Sequence, residues 1–220
     1  EYGHVSGAET TTGPLGQGLA NAVGMALGEQ LLAARFGVER IDHYTYAVVG
    51  DGCLMEGVSH EAISMAGHLK LRKLIVLFDD NEISIDGPTN LTVSDDQRKR
   101  FEASGWNVWA VDGHDPEAIA VAIAAAQKST KPAMIACRTV IGFGAPNLAG
   151  TAKTHGSPLG DKEIKGAREK LGWLHAPFEV PGDVLEAWRV AGSRGAGANV
   201  EWSSRIDTLS ADRKAEFTRL

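Results

Sequence analysis

Tyr44-Thr45-Tyr46-Ala47-Val48-Val49 is a near-continuous run of strand-forming residues, and it stops at Gly50-Asp51-Gly52. A run of this length with no polar alternation reads as a strand covered on both faces. Lys73-Leu74-Ile75-Val76-Leu77-Phe78 is a second such strand and ends at Asp79-Asp80-Asn81. Trp106 to Val111 and Pro132 to Thr139 read as two more. Helical stretches separate them. Met55 to Leu69 is one. Ser94 to Ser104 is another, with Ser94 placed to cap it. A third is an Ala-rich stretch to Lys128 that starts at Asp115-Pro116-Glu117, with Asp at the cap and Pro at the first position. Ahead of the first strand, Leu15, Leu19, Val23, Leu27 and Leu31 recur every fourth residue, with Pro14 suited to a first turn and Gly37 to a stop. Buried strands alternating with helices predict an α/β fold, a doubly wound, mostly parallel sheet with helices on both faces.

The chain has 220 residues, 22 Lys and Arg against 28 Asp and Glu, and a net charge of −6. Length and an apolar share of 43% suffice for a real core. We expect one large domain over 1–180 and a helical tail or the start of a linker over 181–220. Gly192-Ser193-Arg194-Gly195-Ala196-Gly197 reads as a flexible break within that tail. The acidic balance argues against nucleic acid as a partner. The one basic run, Gln97-Arg98-Lys99-Arg100, follows Asp95-Asp96 and reads as a solvated helix face. Cys53 and Cys137 form no CxxC, so a reducing, cytoplasmic setting is the default. No apolar run reaches the roughly 18 residues of a membrane span. The opening Glu1-Tyr2-Gly3, without Met, suggests a fragment or a processed chain that is truncated at its N-terminus.

Parallel sheets take ligands at the carboxyl ends of their strands. Two polar clusters fall there: Gly50-Asp51-Gly52 and Asp79-Asp80-Asn81. A glycine at a strand-to-helix turn lets backbone come close to a phosphate. Asp51 would repel that phosphate unless a hard cation lay between them, and Mg²⁺ takes oxygen ligands from both. Asn81 could add an amide oxygen, and a carbonyl just beyond it a third ligand. The plainer alternative is that Asp51 caps a helix and Asn81 a turn. Val140 to Gly160, rich in Gly and Pro, is a long loop of the kind that often carries function. His4, His43, His60, His68, His114 and His175 read as surface or packing histidines, and Cys53 as a small buried residue.

Gly50-Asp51-Gly52, then 28 residues, then Asn81 resembles the signature of thiamine-diphosphate enzymes. Four longer strings resemble the transketolase family, and they stand in its order: Glu9-Thr10-Thr11-Thr12-Gly13-Pro14-Leu15-Gly16-Gln17-Gly18, Gly50 to Gly57, Asp80 to Gly87, and His155-Gly156-Ser157-Pro158-Leu159-Gly160. The resemblance implies thiamine diphosphate and Mg²⁺ (or Ca²⁺) as cofactors. It implies that Asp51 and Asn81 bind the metal through side chains and Ile83 through its carbonyl. Gly52 would offer its backbone to the diphosphate, and Ile85 would support the thiazolium. Gly13 and Leu15 would touch the cofactor, and His155 would stand beside the diphosphate and the substrate as the catalytic histidine. Glu56 would join a carboxylate network across a dimer. Glu82 departs from the pattern, since the family often has Gly there.

The implied reaction moves a two-carbon ketol unit from a ketose phosphate to an aldose phosphate. Further histidines of the family lie upstream of Glu1, one immediately before it. The glutamate that activates the cofactor belongs to a second domain, contributed by the other subunit of a homodimer. This chain by itself is therefore expected to be inactive. A non-catalytic subunit that keeps the fold is the alternative from another class, and dihydroxyacetone synthase or 1-deoxyxylulose-5-phosphate synthase are neighbours with the same metal motif. A nicotinamide dehydrogenase would need GxGxxG after its first strand, which Gly50-Asp51-Gly52-Cys53-Leu54-Met55 does not supply.

Overall fold

The computed structural model describes residues 2–219. In chain order the elements are α1 (Gln17–Phe36), β1 (Thr45–Gly50), α2 (Asp51–Met55), α3 (Gly57–His68), β2 (Leu74–Asp80), β3 (Ile83–Ser84), β4 (Gly87–Pro88), α4 (Gln97–Ala103), β5 (Asn107–Asp112), α5 (Pro116–Ala126), β6 (Ala133–Arg138), α6 (Asp161–Lys170), α7 (Gly182–Ser193), α8 (Gly195–Asp207) and α9 (Ala211–Thr218). Two compact units result: Glu1–Gln30 with His43–Leu171, and Leu31–Asp42 with Gly172–Leu220. The second unit thus starts earlier than 181 and takes in residues 31–42.

The first unit holds a four-stranded, all-parallel sheet in the order β1-β2-β6-β5. Because side chains alternate across a strand, each buried strand feeds two cores. Leu74, Val76, Phe78, Met134 and Ala136 face one side and pack with Leu19, Ala22, Val23 and Ala26 of α1 and Ile63 and Ala66 of α3. Ile75, Ala133, Ile135 and Cys137 face the other and pack with Ala122 and Ala126 of α5. Helices therefore cover both faces of β2 and β6, whereas β1, at the edge, leaves Tyr46 and Val48 exposed, so the expectation that it is covered on both faces does not hold. The register places Asp80, Arg138 and Asp112 in one row across the carboxyl ends of three strands.

One contact fixes α1 to this sheet, and another locks α3 against the turn that leads into β5. Lys73, just ahead of β2, donates its ammonium to the Glu29 carboxylate of α1 at 2.5 Å, and both residues are only 5% exposed. In α3, Gly67 lies so close to the turn after α4 that a Cβ there would stand 1.7 Å from the Ser104 carbonyl oxygen.

Several boundaries differ from the sequence reading. Gly16 takes a left-handed φ of +81°, so Pro14 stays in a turn and α1 starts at Gln17. The helix expected over 55–69 is α3, Gly57–His68, and a short helix not expected, α2, precedes it, with a break at Glu56, whose ψ of 139° is extended. The break leaves carbonyls at the end of α2 unpaired, and the Ser59 hydroxyl satisfies that of Cys53 at 2.5 Å. The cap of α4 is Asp96, which accepts from the Lys99 N–H at 3.2 Å, and not Ser94. In the basic run Arg98 and Lys99 are exposed, as expected of a solvated face, while Arg100 is held. Arg100 donates to the Asp95 carboxylate and lies 3.1 Å from His60 Nδ1. Gly192 to Gly197 is helical except at Arg194, where α7 ends and α8 starts.

The loop from Val140 to Gly160 is turn-rich, with one short 3₁₀ turn at Ala152–Thr154. It is tied down by buried Glu163 of α6, whose carboxylate accepts from the Asn147 N–H (3.0 Å), the Asn147 amide (2.6 Å) and the Leu148 N–H (3.2 Å). In the second unit Ala33, Phe36 and Ile41 form a small core with Leu209 and Phe217. Arg35 pairs with Glu216, and the Trp202 indole donates to the Arg40 carbonyl at 2.9 Å. Among the described residues no helix is long and apolar enough to cross a membrane.

Candidate functional site

At the carboxyl ends of β2, β5 and β6 a cavity of about 1270 Å³ opens in the first unit. Asp51, Asn81 and Ile83 all line it. They come together because β1 and β2 are adjacent and in register, Gly50 opposite Asp79, so the residues that follow the two strands turn out side by side.

Short hydrogen-bonded turns hold this edge. Asp51 Oδ2 accepts from the Glu82 N–H at 3.2 Å. Asn81 Oδ1 accepts from the Ile83 N–H at 3.0 Å, and its amide nitrogen donates to Asp79 Oδ2 at 3.1 Å. The other oxygen of Asp79 accepts from the Thr139 hydroxyl. Oxygen and nitrogen ends of the Asn81 amide are thereby distinguished, with the nitrogen turned to a carboxylate.

Three carboxylates crowd here. Burial, then the nearby charge of Asp80, pushes the Asp51 carboxyl from 3.8 up to about 6, although the Glu82 and Asn81 N–H groups pull the other way. Asp80 is raised as well, by burial first, with Arg138 opposing. The Arg138 guanidinium, 3.3 Å from Asp80, offsets part of this charge. Among the described residues no three His, Cys, Asp or Glu side chains converge on a metal-sized point. The donor set on offer is mixed instead: one carboxylate, one amide oxygen and one backbone carbonyl, all hard oxygen ligands, which suits Mg²⁺ or Ca²⁺ and leaves room for phosphate oxygens.

Glu82 sits in the left-handed region at φ 58°, the conformation glycine takes without cost. Its carboxylate accepts from the Arg138 guanidinium at 2.5 Å, which also reaches Asp80 at 3.3 Å. The Arg138 contact holds the Glu82 carboxyl below its usual range.

The other expected residues are placed in two further groups. Leu15 reaches over Gly52, where a Cβ would stand 3.2 Å from Leu15 Cδ1. Gly16 abuts Glu56, with a Cβ there 2.8 Å from that of Glu56. Gly13 precedes this turn in an extended conformation at φ 158°. Ile85, at the tip between β3 and β4, is 71% exposed, and Leu15 is 52% exposed. His155 is exposed at the end of the 3₁₀ turn, with its N–H on the Ala152 carbonyl. Gly13, Leu15, Gly52, Glu56, Ile85 and His155 all lie outside the cavity lining.

Sequence reading misses three cavity residues. His114 reads as a surface or packing histidine, yet it lines the wall, accepts from the Val140 N–H at Nε2 (3.0 Å) and stacks on Phe143 at 4.0 Å. With Nε2 accepting, the proton resides on Nδ1. A signal for it exists: Asp112-Gly113-His114 ends an apolar strand, as Gly50-Asp51-Gly52 does. Arg98, read from the sequence only as part of a solvated helix face, and Arg138, which no motif marks, also line the cavity.

Over residues 1–220 the chain matches the family described as the transketolase, thiamine diphosphate binding domain. It is 57% identical to the transketolase of Sinorhizobium medicae over 218 residues, which is 99% of this chain and 31% of that protein. The crystal structure of transketolase from Campylobacter jejuni superposes with a TM-score of 0.89 at 40% identity, over 93% of this chain and 33% of the other. A transketolase of Pichia stipitis in complex with sedoheptulose-7-phosphate does so with a TM-score of 0.86 at 42% identity, over 92% and 31%. The chain spans about a third of the length of the curated relatives it matches.

Proposed function

The chain belongs to the transketolase thiamine diphosphate binding domain family, and from that premise we propose that it supplies the metal- and diphosphate-binding part of a cytoplasmic, homodimeric transketolase. The reaction is transfer of a two-carbon ketol unit from a ketose phosphate to an aldose phosphate. The observation that carries this is the meeting of Asp51, Asn81 and Ile83 on one cavity wall, where burial and the nearby Asp80 raise the Asp51 carboxyl.

Asp51 and Asn81 hold Mg²⁺ (or Ca²⁺) through their side-chain oxygens and Ile83 through its carbonyl. Gly52 presents bare backbone to the diphosphate, and the Leu15 contact leaves little space there for a side chain. Gly13 and Leu15 complete the cofactor's bed, and the exposed side chain of Ile85 gives the thiazolium an apolar support. His155 hydrogen-bonds the reacting sugar or moves a proton there. Glu56 enters the carboxylate network between subunits. When bound, thiamine diphosphate provides the nucleophilic carbon and accepts the electrons of the broken carbon–carbon bond. The glutamate that activates it comes from a second domain, across the dimer. The Pichia stipitis complex with sedoheptulose-7-phosphate supports sugar phosphates as substrates.

The test is calorimetric titration of thiamine diphosphate with Mg²⁺ and then with EDTA. Metal-dependent binding that Asp51→Ala abolishes is the expected result. Binding indifferent to both EDTA and Asp51→Ala would sink the assignment.

A further inference from the structure

We infer that the Glu82–Arg138 ion pair is a conformational clamp that holds the Asn81–Ile83 turn in the shape the metal needs, and that it stands in for the glycine a left-handed position favours. This rests on the metal site proposed above and goes beyond it, since neither residue is a ligand.

Three observations carry it. First, Glu82 has φ 58°, and a side chain in this region raises the energy of the turn relative to glycine. Left to itself the turn would relax toward negative φ. Second, that relaxation would disturb the site directly. The Glu82 N–H is the donor to Asp51 Oδ2, and residues 81 and 83 on either side offer the other two ligand oxygens. Third, the Glu82 side chain is tethered to a rigid point. Arg138 is the last residue of β6, paired in register with Asp80 on one side and Asp112 on the other, so its backbone is fixed by two neighbouring strands. Its guanidinium meets Glu82 at 2.5 Å and Asp80 at 3.3 Å. The chain thus ties the strained residue to the centre of the sheet.

Simple electrostatics predicts the opposite sign. An arginine near a cation site repels the cation, so its removal should tighten Mg²⁺ binding. The clamp predicts that removal loosens it. The prediction is also conditional, because once residue 82 is glycine Arg138 keeps its contact with Asp80 but has no left-handed side chain to restrain.

The experiment is a double-mutant cycle on the full chain that carries these residues: unchanged, Arg138→Ala, Glu82→Gly, and both. Mg²⁺ is titrated calorimetrically at saturating thiamine diphosphate. With Glu82 in place, Arg138→Ala should weaken Mg²⁺ by about fivefold, the scale of one left-handed side chain. Added to Glu82→Gly, it should change Mg²⁺ affinity by less than about 1.5-fold. The pair is solvent-exposed, so high salt should reproduce the loss in the unchanged chain and not in Glu82→Gly. Melting temperatures of the four metal-free proteins should show the same coupling. Equal effects of Arg138→Ala in both backgrounds, or tighter Mg²⁺ binding on its removal, overturn the clamp while leaving the metal site standing. Failure of the unchanged chain to bind thiamine diphosphate in a Mg²⁺-dependent way overturns the metal site, and the clamp with it.

Discussion

The Thr139 hydroxyl, one residue past the end of β6, donates to the Asp79 carboxylate at the end of β2. Asp79 in turn takes the amide nitrogen of Asn81 on its other oxygen. A residue that touches no ligand thereby decides which end of the Asn81 amide is free to act as one. Outer partners of metal ligands commonly control affinity in this way. Thr139→Val keeps the shape and removes the donor. It should weaken Mg²⁺ by about tenfold in a calorimetric titration, with little change in melting temperature.

The Asp51 carboxyl makes the metal-free fold sensitive to pH. Its pKa in the fold is about 6, above the ordinary 3.8. Below 3.8 the group is protonated whether the chain is folded or not. Between there and about 6 only the folded form keeps the proton, so raising the pH through this window costs stability. A bound cation reverses the sign, because it favours the ionised ligand. The rise in melting temperature that Mg²⁺ gives should therefore grow from about pH 5 to about pH 7 and then level off. A gain independent of pH would remove Asp51 from the ligand set.

The Glu29–Lys73 pair is a liability when half of it is lost. Lys73→Met leaves a carboxylate buried beside the sheet without its ammonium. The expected loss is about 3–5 kcal/mol, read from the denaturant midpoint.

Gly67→Ala should be comparably severe for a different reason. The new methyl would meet backbone, the Ser104 carbonyl, and not a side chain that can swing away. Overpacking against backbone here should cost about 3 kcal/mol or more. The same change at Gly28, with open space around it, should be mild.

Glu163→Ala should free the loop that carries His155. Three donors from Asn147 and Leu148 lose their common acceptor. Limited proteolysis should then cut within residues 140–155 before the sheet unfolds, and the intact protein should resist such cutting.

The four strands of the parallel sheet, their order of appearance and the two polar clusters at their ends were legible in the chain from the unbroken apolar runs, but the exposed face of β1 and the short β3–β4 pair were not. The meeting of Asp51 with Asn81 was legible through the same pattern. Other features escaped because they are made by partners far away in sequence. Nothing local marks Glu56 as a helix break. It is fixed by the close approach of Gly16, forty residues earlier. His114 gains its place from the Val140 N–H, and Arg138 from two carboxylates on a neighbouring strand and the turn after it. Glu82 was visible as a departure from glycine. Its left-handed backbone, and the arginine that answers it, were not.

The strand order has a consequence for how the molecule is made. β6 lies between β2 and β5, yet it is the last of the four to be synthesised. Until residue 138 has left the ribosome, β2 and β5 have no shared neighbour, and their apolar sides stay open to other chains. Domains that rely on such late, distant pairing fold slowly and lean on chaperones. Arg138 and Thr139, which hold Glu82 and Asp79 at the ends of these strands, arrive with or just after that same strand. The turn from Asn81 to Ile83 therefore gains these two braces only once the sheet is closed.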